Sequence, residues 1–279
     1  MNFEVARIAA FSDGAKGGNP AGVVLAHQMP DASTMQHLAR EIGFSETVFA
    51  APVSDGWRAR YFSPESEVPF CGHATIALGA FLAMREGDGT FPLHLNDADI
   101  VVEGARKGQL FFASLQSPPT RSVPLSASET AETLALFNYD RTDLDERLAP
   151  ARIHGGSDHF VIALGSRAAL AGMKYEFERG RAMMDREKLI TILLVHAESR
   201  QVFHSRNAFA SGGVYEDPAT GAATAAFAGY LRDVGWPHGG HIEIVQGEDM
   251  GSKSLLRADI PDAAGSSIRV SGSARLLEG

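Results

Sequence analysis

The chain has 279 residues, of which 44% are hydrophobic and 21% charged, a composition typical of a globular protein rather than a disordered one. Its formal net charge is −9, and because an acidic surface repels phosphate backbones, we expect no nucleic-acid partner. No apolar run reaches the roughly 18–20 residues that span a bilayer, and residues 1–5 lack a basic stretch leading into an apolar one, so we expect neither a membrane partner nor a secretion signal.

Alternation of apolar and polar residues predicts strands along much of the chain. A strong turn signal, Gly17-Gly18-Asn19-Pro20-Ala21, separates the first two of them. The predicted strands cover residues 3–8, 22–26, 110–113, 160–164, 190–195, 242–245, 267–270 and 274–277.

Capping residues predict two helices between these strands. Asp31 precedes apolar residues at helical spacing, and Gly43 is a good stop. Ser126 and Glu129 have the spacing of a capping box and lead into a leucine-rich segment. Mixed strands with few long helices favour an α+β fold over a regular βαβ array.

An internal repeat predicts two similar lobes. One constant offset, close to half the chain, aligns Val48-Phe49-Ala50 with Val195-His196-Ala197, Phe62 with Phe209, Cys71 with Pro218, and His73 with Thr220. We predict an N-terminal lobe over residues 1–116, to which the last strand crosses back, and a C-terminal lobe over residues 117–279.

Two unusual helices suggest how each lobe is built. Residues 74–82 and 222–231 consist almost entirely of small or apolar side chains, and a helix that is apolar all round is usually buried. We therefore predict two pseudo-symmetric lobes, each a mixed or antiparallel sheet wrapped around a central apolar helix. The free N–H groups at each helix N-terminus could bind a carboxylate, and if the lobes face each other both termini point into one cleft.

Three candidate residues could carry proton chemistry, and each has a plain structural alternative. Glu46 enters an apolar strand, where an acid is either functional or simply caps a neighbour. His73 opens the first apolar helix, where an imidazole can relay a proton or merely cap. Asp217 precedes the second, where an acid is also a good N-cap. Gly72 is expected to adopt a backbone conformation closed to other residues.

The sequence resembles the phenazine-biosynthesis PhzF-like family of isomerases. The resemblance is carried by short segments in family order: Gly18-Asn19-Pro20-Ala21-Gly22-Val23, Ser45-Glu46-Thr47-Val48-Phe49, Pro69-Phe70-Cys71-Gly72-His73-Ala74-Thr75, Glu216-Asp217-Pro218-Ala219-Thr220-Gly221 and Gln246-Gly247. It implies a fold like that of diaminopimelate epimerase, with two pseudo-symmetric lobes and the active site between them.

The resemblance also implies roles for single residues. Glu46 matches the proton-shuttling glutamate of the family, and His73 and Asp217 match the residues that assist it. The implied substrate-binding residues are Gly72, Thr220, Gly221, Ala222, Asn19 and Ser45. The family's best-known member isomerises a dihydro-hydroxyanthranilate without a metal or an organic cofactor. Relatives often have Ser at position 222 and Arg-Pro at positions 252–253, where this chain has Ala222, Ser252 and Lys253.

Our leading hypothesis is a cofactor-independent isomerase that moves a proton on a small carboxylate substrate through Glu46. A first alternative is a racemase or epimerase that uses Cys71, although a lone cysteine excludes a two-thiol mechanism. A second alternative is a family member that binds small carboxylates without catalysis. The 10 histidines show no metal-binding spacing, so we expect no metal. The lone cysteine fits a reducing cytoplasm, and base rate and resemblance favour a homodimer.

Overall fold

A computed structural model describes residues 3–277, so residues 1, 2, 278 and 279 of the predicted lobes lie outside the described part. Strands dominate the structure and few helices accompany them, which confirms the α+β prediction. The chain divides into two compact units. The first unit holds the described residues up to Gln116 and those from Ser271 onward, and the second unit is Ser117–Val270.

The first unit is built mainly from strands and contains two helices. Its elements are β1 (Glu4–Ala10), β2 (Asn19–Leu25), α1 (Ala32–Ile42), β3 (Thr47–Val53), β4 (Gly56–Phe62), β5 (Glu67–Val68), α2 (Gly72–Glu86), β6 (Gly89–His94), β7 (Asp99–Lys107) and most of β8 (Leu110–Pro119). Strand β2 pairs antiparallel with β1 and parallel with β3, and β3 pairs antiparallel with β4. Strand β4 then pairs antiparallel with β5 and parallel with β6, and β6 leads antiparallel into β7.

Helix α2 is buried among these strands because its side chains are small or apolar on every side. All residues from His73 to Ala83 are buried, and the helix contacts β1, β2, β3, β6 and β7. Helix α2 and β7 approach each other closely at Gly79, whose carbonyl oxygen would overlap a Cβ atom placed on Gly104 of β7. Helix α1 packs its buried face, Met35 and Ala39, on a separate apolar cluster.

The second unit contains the other long apolar helix. Its elements are the end of β8, β9 (Arg121–Pro124), α3 (Ala127–Leu136), β10 (Ala151–His154), β11 (Asp158–Ala163), α4 (Arg167–Ala171), α5 (Phe177–Glu187), β12 (Thr191–Ala197), β13 (Val202–Ala208), β14 (Glu216–Asp217), α6 (Gly221–Asp233), β15 (His241–Gln246), β16 (Ser254–Asp259) and the start of β17 (Ser267–Leu276).

The strand pairings of the second unit follow the same order of directions as those of the first. Strand β11 pairs antiparallel with β10 and parallel with β12, and β12 pairs antiparallel with β13. Strand β13 pairs antiparallel with β14 and parallel with β15, which leads antiparallel into β16. Helix α6 is buried from Ala223 to Leu231 and contacts β9, β10, β11, β15 and β16.

Local capping chemistry correctly predicted both ends of one helix and the start of another. Asp31 caps α1 by accepting from the Thr34 N–H, and Gly43 ends it in the left-handed conformation. Ser126 and Glu129 form the capping box that opens α3. Helices α4 and α5 were not predicted. Helix α5 is mostly polar, and its apolar face is limited to Phe177, Met183 and Met184.

One turn and one strand boundary were predicted wrongly. Residues 19–21 continue β2, where Asn19 pairs with Ala10, and the reversal lies earlier, around the bridge between Asp13 and Lys16. The two predicted C-terminal strands are one strand, β17. It runs through Ser273 without a turn because Ser12 donates its N–H to the Ser273 carbonyl and accepts from the Ser273 hydroxyl at 2.6 Å.

Candidate active site

Glu46 lies at the entrance to β3, in the first unit. Gly43 ends α1 with a φ of 74°, and the chain turns there before β3 begins at Thr47. The Gly22 N–H donates to the Glu46 carbonyl at 3.1 Å, which fixes the backbone against β2. The carboxylate is held at the edge of the buried sheet, with 16% of the side chain exposed.

Three side chains of different chemistry meet in the first unit. The Glu46 Oε2 lies 3.5 Å from the His73 Nε2, an ion-pair distance, and Nε2 makes no hydrogen bond. The other ring nitrogen of His73, Nδ1, lies 3.3 Å from the Cys71 Sγ. We call Glu46, Cys71 and His73 the first-unit cluster. Its imidazole stands between a carboxylate and a thiol, so it can orient the carboxylate and exchange a proton with either neighbour.

The N-terminus of α2 adjoins this cluster and has no side-chain cap. Cys71 is the N-cap residue but makes no capping bond, and the first turn contains no acidic residue. Both the N–H and the hydroxyl of Thr75 donate to the Cys71 carbonyl. The N–H groups of the first helical turn have no acceptor within the helix, so this end of α2 favours an anion.

The structure corrects the expected role of Gly72. The residue does not have a positive φ, so its conformation is open to any amino acid. A Cβ atom placed on it would meet nothing within 4 Å. There is therefore open space beside the backbone at the tip of α2.

Strand β4 contributes two paired polar groups, the Tyr61 hydroxyl and the Arg60 guanidinium. Tyr61 is buried and its hydroxyl lies 2.7 Å from the Thr75 Oγ1. Burial raises the pKa of the Tyr61 phenol, so the group stays neutral. Beside it, Arg60 donates to both carboxylate oxygens of Glu67, at 2.7 and 2.6 Å. These hydrogen bonds lower the pKa of Glu67.

In the second unit, hydrogen bonds fix the turn that leads into α6. Thr220 is the N-cap residue, and its hydroxyl donates to the Asp217 carboxylate. Gln246, at the end of β15, accepts from the Thr220 N–H at 3.1 Å and donates to the Asp217 carbonyl at 2.7 Å. We call Asp217, Thr220 and Gln246 the second-unit turn. Asp217 is therefore not the N-cap of α6, and the simple capping alternative for this residue is wrong.

Buried polar groups also lie next to the second-unit turn. Arg206 of β13 donates to both carboxylate oxygens of Glu216, at 3.0 and 2.5 Å, and to the Ala171 carbonyl at 2.9 Å. The following residue, Asn207, is fully buried, and neither its Oδ1 nor its Nδ2 has a hydrogen-bond partner. Neither residue was singled out from the sequence, because only the strand register reveals what each one faces.

The remaining predicted site residues occupy several positions. Gly221 and Ala222 form the first turn of α6, partly exposed, next to Thr220. Asn19 begins β2 and is buried, whereas Ser45 is exposed in the turn before Glu46. The structure thus places Glu46 with Gly72 and His73 in the first unit, and Asp217 with Thr220, Gly221 and Ala222 in the second. Gln246 belongs to one of the family segments, and the structure shows that it hydrogen-bonds to both Asp217 and Thr220.

The first-unit cluster also has the ligand types of a metal site. Within residues 3–277, Glu46, Cys71 and His73 each offer a ligand atom, and these atoms lie within 4.8 Å of one another. A thiolate, an imidazole and a carboxylate are the ligands that Zn²⁺ prefers. Sequence spacing did not reveal the group because Glu46 is far from Cys71 along the chain.

Comparison with known proteins defines the class. The chain is 33% identical to the trans-2,3-dihydro-3-hydroxyanthranilate isomerase of Pseudomonas aeruginosa, over 95% of this chain and 94% of that protein. It is 30% identical to an uncharacterized isomerase of Mesorhizobium japonicum, over 92% and 91% of the two chains. In fold it is similar to a PhzF-family phenazine biosynthesis protein of Bacillus anthracis, with a TM-score of 0.86, 20% identity and coverage of 100% and 98%. The protein is thus an enzyme of the PhzF-like isomerase class.

The family follows from a match along nearly the whole sequence. The model of the phenazine biosynthesis-like proteins matches residues 8–279. The chain belongs to this family, as the resemblance of its short segments predicted. Within the described residues 3–277, no helix combines the length and the apolar character that crossing a membrane requires.

Proposed function

We propose that the protein isomerises a small unsaturated carboxylate by moving one proton between two carbon atoms, with Glu46 as the proton carrier. The observation that carries this proposal is the position of the Glu46 carboxylate, 3.5 Å from the His73 Nε2 and next to the uncapped N-terminus of α2. An acid-base group beside an anion-binding helix end is what proton abstraction from a carboxylate substrate needs.

The reaction needs no change of oxidation state. Glu46 takes the proton as a C–H bond breaks, and the electron pair of that bond forms a new C=C bond. Glu46 exchanges the bound proton with solvent, and the electrons of the former C=C bond then take a proton back from Glu46 at the other carbon. The relative named above acts on trans-2,3-dihydro-3-hydroxyanthranilate, and we propose a substrate of that class, a cyclic dienoate or amino-acid-like carboxylate, for this chain.

The other site residues are proposed to bind and orient. His73 fixes the Glu46 carboxylate, and the N–H groups of Gly72 and His73 bind the anion. Asp217 serves the same reaction by orienting the substrate, supported by its place in the second-unit turn. The N–H groups of Gly221 and Ala222, next to Thr220, offer a second anion-binding helix end, with Thr220, Asn19 and Ser45 as further substrate-binding residues.

We also propose that the two units are copies of one lobe, as in diaminopimelate epimerase, each with its apolar helix at the centre. The matching order of strand pairings supports this. So does a repeated bidentate ion pair, Arg60–Glu67 in one unit and Arg206–Glu216 in the other. When the two helices are compared by their N-cap residues, Cys71 of α2 corresponds to Thr220 of α6. The constant sequence offset had aligned Cys71 with Pro218 instead.

The test of Glu46 is the variant Glu46→Gln, which keeps the size of the side chain and removes its titration. With trans-2,3-dihydro-3-hydroxyanthranilate as substrate, we expect the turnover rate to fall by about 10²–10⁴-fold, the usual contribution of a general acid-base group. The matched control is Glu41→Gln on α1, whose carboxylate is 61% exposed. Equal rates for Glu46→Gln and the wild type would refute the assignment.

A second candidate function is favoured by one distance, the 3.3 Å between the Cys71 Sγ and the His73 Nδ1. An imidazole this close can deprotonate the thiol, and a thiolate at a helix N-terminus is a competent base. Cys71 could then act as the base of a racemase or epimerase. Cys71→Ala separates the two functions, because it abolishes thiol-dependent turnover and leaves Glu46-dependent turnover in place.

Catalysis is distinguished from simple binding by isotope exchange. We expect solvent deuterium to enter the carbon positions of the substrate in the wild type and not in Glu46→Gln. The exchange is measured by proton NMR. A protein that only binds carboxylates would show no exchange. The predicted homodimer and cytoplasmic location stay predictions, to be checked by light scattering and by cell fractionation.

A further inference from the structure

Asn207 is a fully buried asparagine whose side-chain amide is unpaired. Neither the Oδ1 nor the Nδ2 has a hydrogen-bond partner, and none of the side chain is exposed. A carboxamide offers two N–H donors and one acceptor oxygen, and folding is penalised when such a group is buried without partners. An apolar side chain of similar size would avoid this penalty, so the amide points to a partner that arrives from outside the chain.

The strand register shows which groups this amide faces. Asn207 of β13 lies directly opposite Asp217 of β14 in an antiparallel pair. Side chains of directly opposed residues project from the same face of a sheet. The Asp217 carboxylate accepts a hydrogen bond from the hydroxyl of Thr220, the N-cap residue of α6. The Asn207 amide is therefore on the face of the sheet that carries the second-unit turn.

The first unit shows that this fold can satisfy a polar residue at the same position. In both units an arginine of the longer strand pairs with a glutamate of the short one, and the residue after the arginine lies opposite the short strand. That residue is Tyr61 in the first unit, and its hydroxyl is paired with Thr75 at 2.7 Å. In the second unit it is Asn207, and its amide is unpaired.

We propose that Asn207 is a substrate-contacting residue that selects carboxylates bearing a hydroxyl or amino group next to the carboxylate-bearing carbon. The α6 N-terminus is the second helix end that contacts the carboxylate, and the Asn207 amide pairs with the substituent on the neighbouring carbon. An amide both donates and accepts, which matches a hydroxyl or an amino group. A substrate with only hydrogen at that position leaves the buried amide unpaired, so it binds more weakly. This inference takes from the proposed function that the substrate is a small carboxylate. It does not depend on Glu46 being the proton carrier.

The test is the binding of three stable carboxylates by isothermal titration calorimetry: benzoate, 2-hydroxybenzoate and 2-aminobenzoate. In the wild type we expect the two substituted acids to bind about tenfold tighter than benzoate or more. In Asn207→Leu, which replaces the amide by an apolar group of similar size, we expect this preference to disappear while benzoate affinity changes little. Asn207→Ala is the second variant, should the leucine not fit, and it is expected to lose the preference as well.

Stability gives an independent readout. Because no hydrogen bond is lost, Asn207→Leu is expected to keep or raise the melting temperature, so a loss of preference cannot be attributed to unfolding. The control is Asn138→Gly, which removes an exposed amide of the same unit at a φ of 59° that glycine adopts freely.

Two results would overturn the inference: the same preference in Asn207→Leu as in the wild type, or no preference in the wild type, including no binding of any of the three acids. The probes are not turned over, so their binding does not depend on Glu46 carrying a proton. A normal turnover rate in Glu46→Gln would refute the proposed function and leave the role of Asn207 standing, and a failed preference test would do the reverse.

Discussion

Acidification is predicted to destabilise the second unit through one buried histidine, His159 of β11. Its ring is fully buried, with Nδ1 2.6 Å from the Thr191 Oγ1 and Nε2 3.2 Å from the Ser157 Oγ. Burial lowers the pKa of His159 from 6.5 to about 3, because a charged imidazole loses its hydration there. The folded protein therefore keeps this ring neutral at any pH well above 3.

The direction and size of the effect follow from linkage. The unfolded chain binds a proton at His159 with a pKa of 6.5, and the folded chain does not bind it until near pH 3. His159 therefore does not lower the free energy of unfolding above pH 6.5. Below that pH the free energy of unfolding falls steadily until the pH approaches 3. At pH 5 the pH is about 1.5 units below the pKa of His159 in the unfolded chain. Protonation therefore stabilises the unfolded state and lowers the free energy of unfolding by about 2 kcal/mol.

The assay is urea unfolding at pH 7 and pH 5, compared between the wild type and His159→Gln, whose amide can still pair with Thr191 and Ser157. Other groups titrate alike in both proteins, so the wild type should lose about 2 kcal/mol more than the variant between the two pH values. His27→Gln, at an exposed histidine, should behave like the wild type. The reasoning is refuted if His159→Gln loses as much stability on acidification as the wild type.

Three further predictions concern packing, pairing and metal binding. Glu216→Ala leaves the Arg206 guanidinium buried without its partner, and the free energy of unfolding, measured with urea, should fall by about 3–5 kcal/mol. Gly104→Ala places a Cβ atom against the carbonyl oxygen of Gly79, so β7 must move away from α2 and the same measurement should show a loss of about 1–3 kcal/mol. Added Zn²⁺ should inhibit turnover by occupying the first-unit cluster, and EDTA should restore the activity. In Cys71→Ser the inhibition constant for Zn²⁺ should rise about tenfold or more. Equal inhibition of both proteins would place the metal elsewhere.

Features set by neighbours in the chain could be predicted from the sequence. The ends of α1 and the capping box of α3 depend on bonds that span three or four residues, so their signals are local. The two apolar helices could be recognised for a similar reason, since a helix buried on all sides has a composition that is unusual for a surface helix. The family segments around Glu46, His73 and Asp217 were also visible as sequence patterns.

Features set by partners distant in the chain could not be predicted. Ser271-Gly272-Ser273 has the composition of a turn, yet it stays extended because Ser12, at the other end of the chain, hydrogen-bonds to Ser273. Gln246 reaches Thr220 only because β15 lies parallel to β13. The third member of the first-unit cluster, Cys71, acquires its carboxylate neighbour through the same kind of distant contact.

The two helix ends differ in a way that bears on their chemistry. In the first unit the N-cap is Cys71, whose thiol contacts an imidazole and leaves the helix end uncapped. In the second the N-cap is Thr220, whose hydroxyl and N–H are both engaged within the chain. The first end thus keeps groups that can exchange protons, while the second is held rigid by neutral and acidic partners. For this reason we propose that the first unit carries out proton transfer and that the second recognises the substituents of the substrate.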